Sequence, residues 1–452
     1  MAEKPQIAHL IDVGSTWTKG LAVSLTDGRI LGRNQHPTTI AGGIMQGVNA
    51  VIGALGDHAG AVAFRAASSS AAGGLRVAAI GLVPDLTGMA ARQASLGAGA
   101  RVVFSGSYAL NPEEIEGIRR ERCDIILLTG GTDGGNSEVI LQNAVRLAEA
   151  RLPAAIVLAG NKSARAQARA TLEAAGCDVR VADNVLPAID VLSVDSAQAA
   201  IREVFLERIV IARGIEQLRE WATDGMLPTP RAVLEASQFL ADGQPALGTT
   251  VIVDIGGATT DVHSVGGEQV AADALLKGLP EPHVKRTVEG DLGLRVSAVA
   301  AADSLDVDAL SRQLGIESAQ LRAEVSQRVE TPELLREKDP IDRVMTIAAV
   351  AEALCRHAGR LDPIPLRKGT FFQTGKDLRE AAVLIGSGGV FAARGDSIDL
   401  LSAAAAQAAM RDKLVPLAPR LLIDRDYVLF AVGLLAAKYP HVASALALNS
   451  LR

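Results

Sequence analysis

Cysteine is nearly missing from this 452-residue chain: Cys123, Cys177 and Cys355 stand apart, with no C-x-x-C spacing. That argues against a disulfide framework and a zinc site, and it predicts a reducing, cytoplasmic setting. Aromatic residues are 3% of the chain, so stacking platforms for bases are few. Positive charge is not in excess either: 45 Lys and Arg against 51 Asp and Glu leave a formal charge of −6, and no basic block occurs. A grip on nucleic acid needs cations clustered against phosphates, so that class of partner is argued against. No apolar run reaches the ~18 residues of a membrane span. The opening MAEKPQIAHLIDVG is not read as a signal peptide. What remains is ordinary globular material, 48% hydrophobic and 21% charged. At roughly 100–200 residues per domain, the length predicts two or three domains.

The chain opens with short apolar strands, Ile7–Val13 and Gly20–Leu25, joined by tight polar turns, which reads as a β-meander. Helical spacing follows at 47–55 and a strand at 61–67, ending in the Ser/Gly run 68–74. From Arg101 strand-like runs alternate with helical patterns as far as 181, the signature of βαβ units on a parallel sheet. A long helix is expected over 196–221, then a linker at 223–230, where Gly225, Pro228 and Pro230 interrupt the pattern. At Thr249 the opening grammar returns: an apolar strand, Asp254, a Gly/Thr turn and a second strand. The division predicted is 1–100, 101–222 and 245–452, with the first and last parts duplicates of one another.

The two turns carry the chemistry. Asp12-Val13-Gly14-Ser15-Thr16-Trp17-Thr18-Lys19 aligns with Asp254-Ile255-Gly256-Gly257-Ala258-Thr259-Thr260-Asp261. Each has an Asp leaving a strand, a Gly two positions on, hydroxyl residues at the apex and a charge seven positions after the Asp. Glycine lets a backbone approach phosphate closely and offers N–H donors. Hydroxyls add donors, and Lys19 adds a point charge. A carboxylate repels a polyphosphate, so Asp12 and Asp254 are expected to hold Mg²⁺, through its retained waters, against the phosphates. Asp261 and Glu289 are candidates to polarise water.

Two further segments have open readings. Gly131-Thr132-Asp133-Gly134-Gly135-Asn136 follows a strand and opens a helix. It reads equally as a second anion site or partner-facing loop, and as a tight turn with Asn136 or Ser137 capping the helix. Asp261-Val262-His263-Ser264-Val265-Gly266 matches the D-x-H-x-x-G pattern of some cobalamin ligands. Its place inside a strand makes His263 a strand residue, and no direct cobalamin binding is expected.

The paired turns resemble the phosphate elements of the actin, Hsp70 and sugar-kinase superfamily. That resemblance implies an α/β fold of two duplicated ribonuclease-H-like domains around a nucleotide cleft, with an α/β insertion in the first half. It also implies a late glycine pair at the adenosine, which Gly386-Ser387-Gly388-Gly389 matches, and a closing helix with small residues near the hinge, which 430–437 fits within the amphipathic helix read from the residues over 427–439. The segments 67–76, 128–144, 158–163 and 287–295 resemble the MutL family, accessory proteins of adenosylcobalamin-dependent glutamate (methylaspartate) mutase. An ATPase that reactivates such a mutase is what this implies, with mutase subunits as partners and the oligomeric state open. A small-molecule kinase on the same clamp is the alternative; an actin-type filament and direct cobalamin delivery are weaker ones.

Overall fold

The computed structural model describes residues 6–14, 16–38, 43–56, 61–70, 75–211, 215–243, 246–331, 339–365, 367 and 369–452. The first strand, β1 (Gln6–Val13), is buried from Ile7 onward, a pattern that requires cover on both faces of its sheet. β2 (Trp17–Ser24) and β3 (Ile30–Pro37) continue it as an antiparallel meander. α1 (Met45–Leu55) then leads to β4 (Ala61–Ser69), which runs parallel to β1.

A second sheet follows: β5 (Arg76–Gly81), a π-helical turn at Pro84–Gly88, α2 (Met89–Gly97), β6 (Arg101–Ser107), α3 (Pro112–Arg120) and β7 (Ile125–Leu128). It continues through α4 (Glu138–Ala150), β8 (Ala155–Leu158), α5 (Lys162–Ala174), β9 (Val179–Val181) and α6 (Asp195–Ile211). Its strands are all parallel in the order β6-β5-β7-β8-β9, the alternation read from the sequence. The sheet starts at Arg76, however, earlier than the change of texture at Arg101. β5 is short and alanine-containing, with too few β-branched residues to announce itself.

α7 (Ile215–Trp221), β10 (Met226–Pro228) and α8 (Thr229–Asp242) return to the first sheet. The stretch expected as a linker is therefore an edge strand on β4 running into a helix. Pro228 sits where an edge strand tolerates it. The expected single helix over 196–221 carries α6 and α7, with 212–214 outside the described residues.

The last part comprises β11 (Thr250–Ile255), β12 (Thr260–Val265), β13 (Ala274–Leu276) and β14 (Val284–Glu289). A helical block follows: α9 (Ala298–Ser304), α10 (Val307–Leu314), α11 (Ser318–Glu330) and α12 (Pro340–His357). β15 (Arg360–Pro363), β16 (Phe371–Thr374), β17 (Val383–Ser387), α13 (Gly389–Ala393), α14 (Ser397–Ala409), β18 (Arg420–Ile423), α15 (Leu429–Ala436) and α16 (Pro440–Ser450) complete it.

The duplication lies in the strand order. β10-β4-β1-β2-β3 in the first half matches β18-β17-β11-β12-β14 in the second, each a three-stranded meander plus two parallel strands. The fold is thus α/β with two ribonuclease-H-like halves. α8 and α15, which follow the matched strands β10 and β18, pack on each other over a core that includes Leu10, Val233, Leu429 and Phe430. Their approach depends on Gly433: a Cβ there would lie 1.8 Å from the Ala232 carbonyl oxygen. α15 is buried on nearly every side, not amphipathic as expected, because both α8 and α16 cover it.

The chain forms two compact units. One takes in Met1–Gly73, Ala212–Leu275 and His283–Arg452, and so holds both duplicated halves. The other is Gly74–Ile211 with Leu276–Pro282, with its own core around Ile126, Leu128, Ile156 and Leu172. Among the described residues no helix is long and apolar enough to cross a membrane.

Candidate functional site

Each Asp-Gly turn is closed by the same bond. Gly14 N–H donates to Trp17 O at 3.0 Å, and Gly256 N–H donates to Thr259 O at 2.9 Å. Those two amides are therefore committed inside the turns and are not the free phosphate donors expected of them. The turns adjoin: a Cβ on Gly257 would lie 3.1 Å from Thr16 Oγ1 and 3.2 Å from Arg295 Cβ. Together they line one cavity of about 160 Å³, to which Gly14, Thr16, Lys19, Asp254, Gly256, Gly257, Ala258, Thr259 and Asp261 contribute. Gly388 and Gly389 reach the same cavity, as do Trp17, Thr229, Arg295, Val390 and Tyr427. Ser15 lies outside the described residues. Thr16 Oγ1 is buried without a partner among the described residues, a donor left for a ligand.

Asp12 and Asp254 end β1 and β11 in matched registers, Asp12 opposite Ser68 and Asp254 opposite Ser387. Their surroundings differ. Asp12 is 1% exposed, and its Oδ1 accepts from Ser68 Oγ at 2.7 Å and Thr229 Oγ1 at 2.5 Å. Its Oδ2 is buried with no partner among the described residues. Burial raises its pKa, opposed chiefly by the Lys19 charge. Asp254 faces the cavity, and no described residue donates a hydrogen bond to it. Ser387, the counterpart of Ser68, donates instead to Asp424 at 3.0 Å. Burial, and then the nearby Asp261 charge, push Asp254 up to about 7.

Asp261 is neutralised by Arg286, whose Nε and Nη2 donate to Oδ1 at 2.8 and 2.5 Å, and Thr259 Oγ1 donates to its Oδ2 at 3.0 Å. Glu289 is held by Arg356 Nη1 at 3.0 Å and does not line the cavity. Lys19 Nζ sits 3.0 Å from the Tyr427 ring centroid. Burial lowers its pKa, while Asp12, Asp254 and Asp424 pull it up. Tyr427 has φ +53°, a strained value for a tyrosine. It is braced by Asp424, whose carboxylate accepts from Val428 N–H at 2.8 Å and Leu429 N–H at 3.3 Å.

Thr18 and Thr260 point away from the cavity. Thr18 Oγ1 lies 3.1 Å from Thr38 Oγ1, and Thr260 Oγ1 donates to Leu292 O at 2.8 Å. Gly386 and Ser387 lie within β17, behind Gly388 and Gly389. His263 is a fully buried residue of β12.

The Gly131–Asn136 loop belongs to the other unit. Asp133 Oδ1 accepts from Lys162 N–H at 3.0 Å and Asn184 Nδ2 at 2.9 Å. Gly134 N–H donates to Asn161 Oδ1 at 3.1 Å, and Asn136 Oδ1 accepts from Val139 N–H at 3.2 Å in the first turn of α4.

Ser68, Thr229, Arg295, Asp424 and Tyr427 carry no role in the sequence reading. Their contacts to the turns span the chain, and only alignment of the two halves, Ser68 with Ser387, signals one of them.

The donor set suits a hydrated divalent cation. Asp254 and Asp261 face the cavity, and Asp12, buried and not in its wall, keeps an orphaned Oδ2; Lys19 and Arg286 are the cations beside them. Among the described residues no three His, Cys, Asp or Glu side chains cluster as a direct metal cage. Mg²⁺ keeps several waters and needs one or two carboxylates, so the arrangement fits it.

A profile of the family described as MutL protein matches residues 8–451. Protein MutL of Clostridium tetanomorphum is 40% identical over 446 residues, 96% of each chain. Among solved structures, the activator of 2-hydroxyisocaproyl-CoA dehydratase from Clostridium difficile with bound ADPNP is 9% identical, covers 97% of this chain and 95% of its own, and gives a TM-score of 0.30. A ROK family glucokinase from Streptomyces griseus with glucose and AMPPNP is 12% identical, with coverages of 97% and 98% and a TM-score of 0.31. Likeness at that level fixes no residue's role.

Proposed function

We propose, from the premise that this chain belongs to the MutL protein family, that it is an ATP-dependent accessory protein, a reactivase or chaperone of an adenosylcobalamin-dependent glutamate mutase or a related aminomutase. The observation that carries the nucleotide part is the single cavity shared by two matched Asp-Gly turns. Thr16 and the turn backbones hold the phosphates, and Lys19 pairs with their oxygens. Gly388 and Gly389 leave room for the adenosine. Asp12 and Asp254 would hold Mg²⁺ through its waters, and the ion would supply positive charge against the phosphates.

The asymmetry between the two aspartates assigns their work. Asp12, tied down by Ser68 and Thr229, is the fixed post of the shell. Asp254 faces the cavity with no hydrogen-bond donor on its carboxylate among the described residues, so it is free to orient the attacking water. Asp261 and Glu289 are spent on Arg286 and Arg356. Loss of the terminal phosphate would release one of the turns, and the helix crossing of α8 and α15 is where the halves would reopen.

Phosphate release assayed with and without an adenosylcobalamin-dependent glutamate mutase tests the reading. Slow basal turnover that the mutase accelerates is expected. Fast turnover indifferent to the mutase would contradict the accessory role.

A further inference from the structure

A second cavity, about 380 Å³, lies on the far side of the Lys19–Tyr427 pair. Its volume is in the range of small-molecule sites. Lys19 and Leu21 on β2 face Gln35 and Arg33 on β3 in register, so the four side chains share one face of the meander. Opposite them stand Ala392 and Ala393 of α13 and the segment Arg425–Tyr427. The chain has two tryptophans, three tyrosines and eight phenylalanines, and it places one of each here: Trp17, Tyr427 and Phe430. Rings so scarce elsewhere give this cavity π faces.

Its charge is positive. Arg33 Nη1 donates to Asp426 Oδ1 at 3.0 Å, which uses the one carboxylate in the wall. Arg425, half-buried beside it, has no hydrogen-bond or ion-pair partner among the described residues. A guanidinium left unpaired beside three rings suits a planar carboxylate, whose oxygens it binds in a fork while the ring lies on aromatic walls.

We propose that this cavity is a second ligand site, distinct from the nucleotide cleft, for a small planar carboxylate. Trp17, Lys19, Gly389 and Tyr427 form the wall shared with the first cavity, but Arg33, Arg425 and Phe430 line this one alone, so the site stands whether or not the nucleotide reading holds. The test uses the full chain without nucleotide, with benzoate as probe, followed by calorimetry. Benzoate is expected to bind one per chain, with benzamide and acetate at least tenfold weaker, since one lacks the charge and the other the ring. Arg425→Gln is expected to weaken benzoate at least tenfold while leaving Mg·ATP affinity within twofold, which also reports an intact fold. Benzoate that does not bind, that binds Arg425→Gln equally well, or that is displaced one for one by ATP would overturn the proposal. Benzoate binding without ATP binding would leave this site standing and remove the nucleotide reading alone.

Discussion

Asp12 and Asp254 stand at the same place in two copies of one sheet, and the hydroxyls around them decide how they differ. Thr229→Val leaves Asp12 without its 2.5 Å donor and should cost about 1–3 kcal/mol, read as a lower denaturation midpoint. Asp254 should titrate near neutral pH in the chain without metal. Between its ordinary 3.8 and about 7, the folded state keeps a proton that the unfolded state releases, so this group's contribution to stability falls as pH rises through that window. Thermal midpoints measured from pH 4 to 8 should show that decline in the wild type and a shallower one in Asp254→Asn, since Asp12 and Asp424 are also raised by burial. The same substitution should lower ATP turnover by about 10²-fold or more without unfolding the chain. Turnover within threefold of wild type would remove Asp254 from the chemistry. The Asp-Gly turns were legible because their chemistry is contiguous. Thr229 was not, because 217 positions separate it from Asp12 and only the pairing of β10 with β4 brings them together.

At the level of elements, α8 and α15 cross where Gly433 meets Ala232. Gly433→Ala forces a Cβ onto a backbone oxygen and should cost about 1–3 kcal/mol, whereas Gly395→Ala, with open space around it, should cost far less. Equal midpoints for the two variants would show that the crossing is not tight. The first turn of α12 anchors the cavity wall differently. Asp342 takes Arg295 Nη2 at 2.8 Å and Arg328 Nε at 2.9 Å, both pairs buried. Asp342→Ala strands the buried Arg295 guanidinium, while Arg328 keeps Asp339 and Glu324, and should cost about 3–5 kcal/mol, measurable by urea denaturation. Periodicity announced most of these helices but misjudged α15. A helix capped by neighbours on every side has no polar face, and its sequence, LFAVGLLA, marks burial and not amphipathicity. Likewise the prolines at 228 and 230 signal a break in helix, while the strand that ends at Pro228 shows only once β4 is there to pair with it.

For the whole molecule, the return of one strand grammar at Thr249 was enough to predict the duplication, because strand order follows from it. The extent of the inserted parallel sheet was not, since β5 is weak as a sequence signal although central in its sheet. On the proposed reading, one ligand is held by both turns of the duplicated fold. Mg·ATP at a hundred times its dissociation constant should add about 2.7 kcal/mol of stability, seen as a raised midpoint. Calorimetric titration of ATP into the wild type, Asp12→Asn and Asp254→Asn, each with Mg²⁺ and with EDTA, tests the shared site most directly. One ATP per chain, dependent on Mg²⁺ and weakened by either substitution, is the predicted result. Binding unaffected by Mg²⁺, or lost from neither variant, would contradict it.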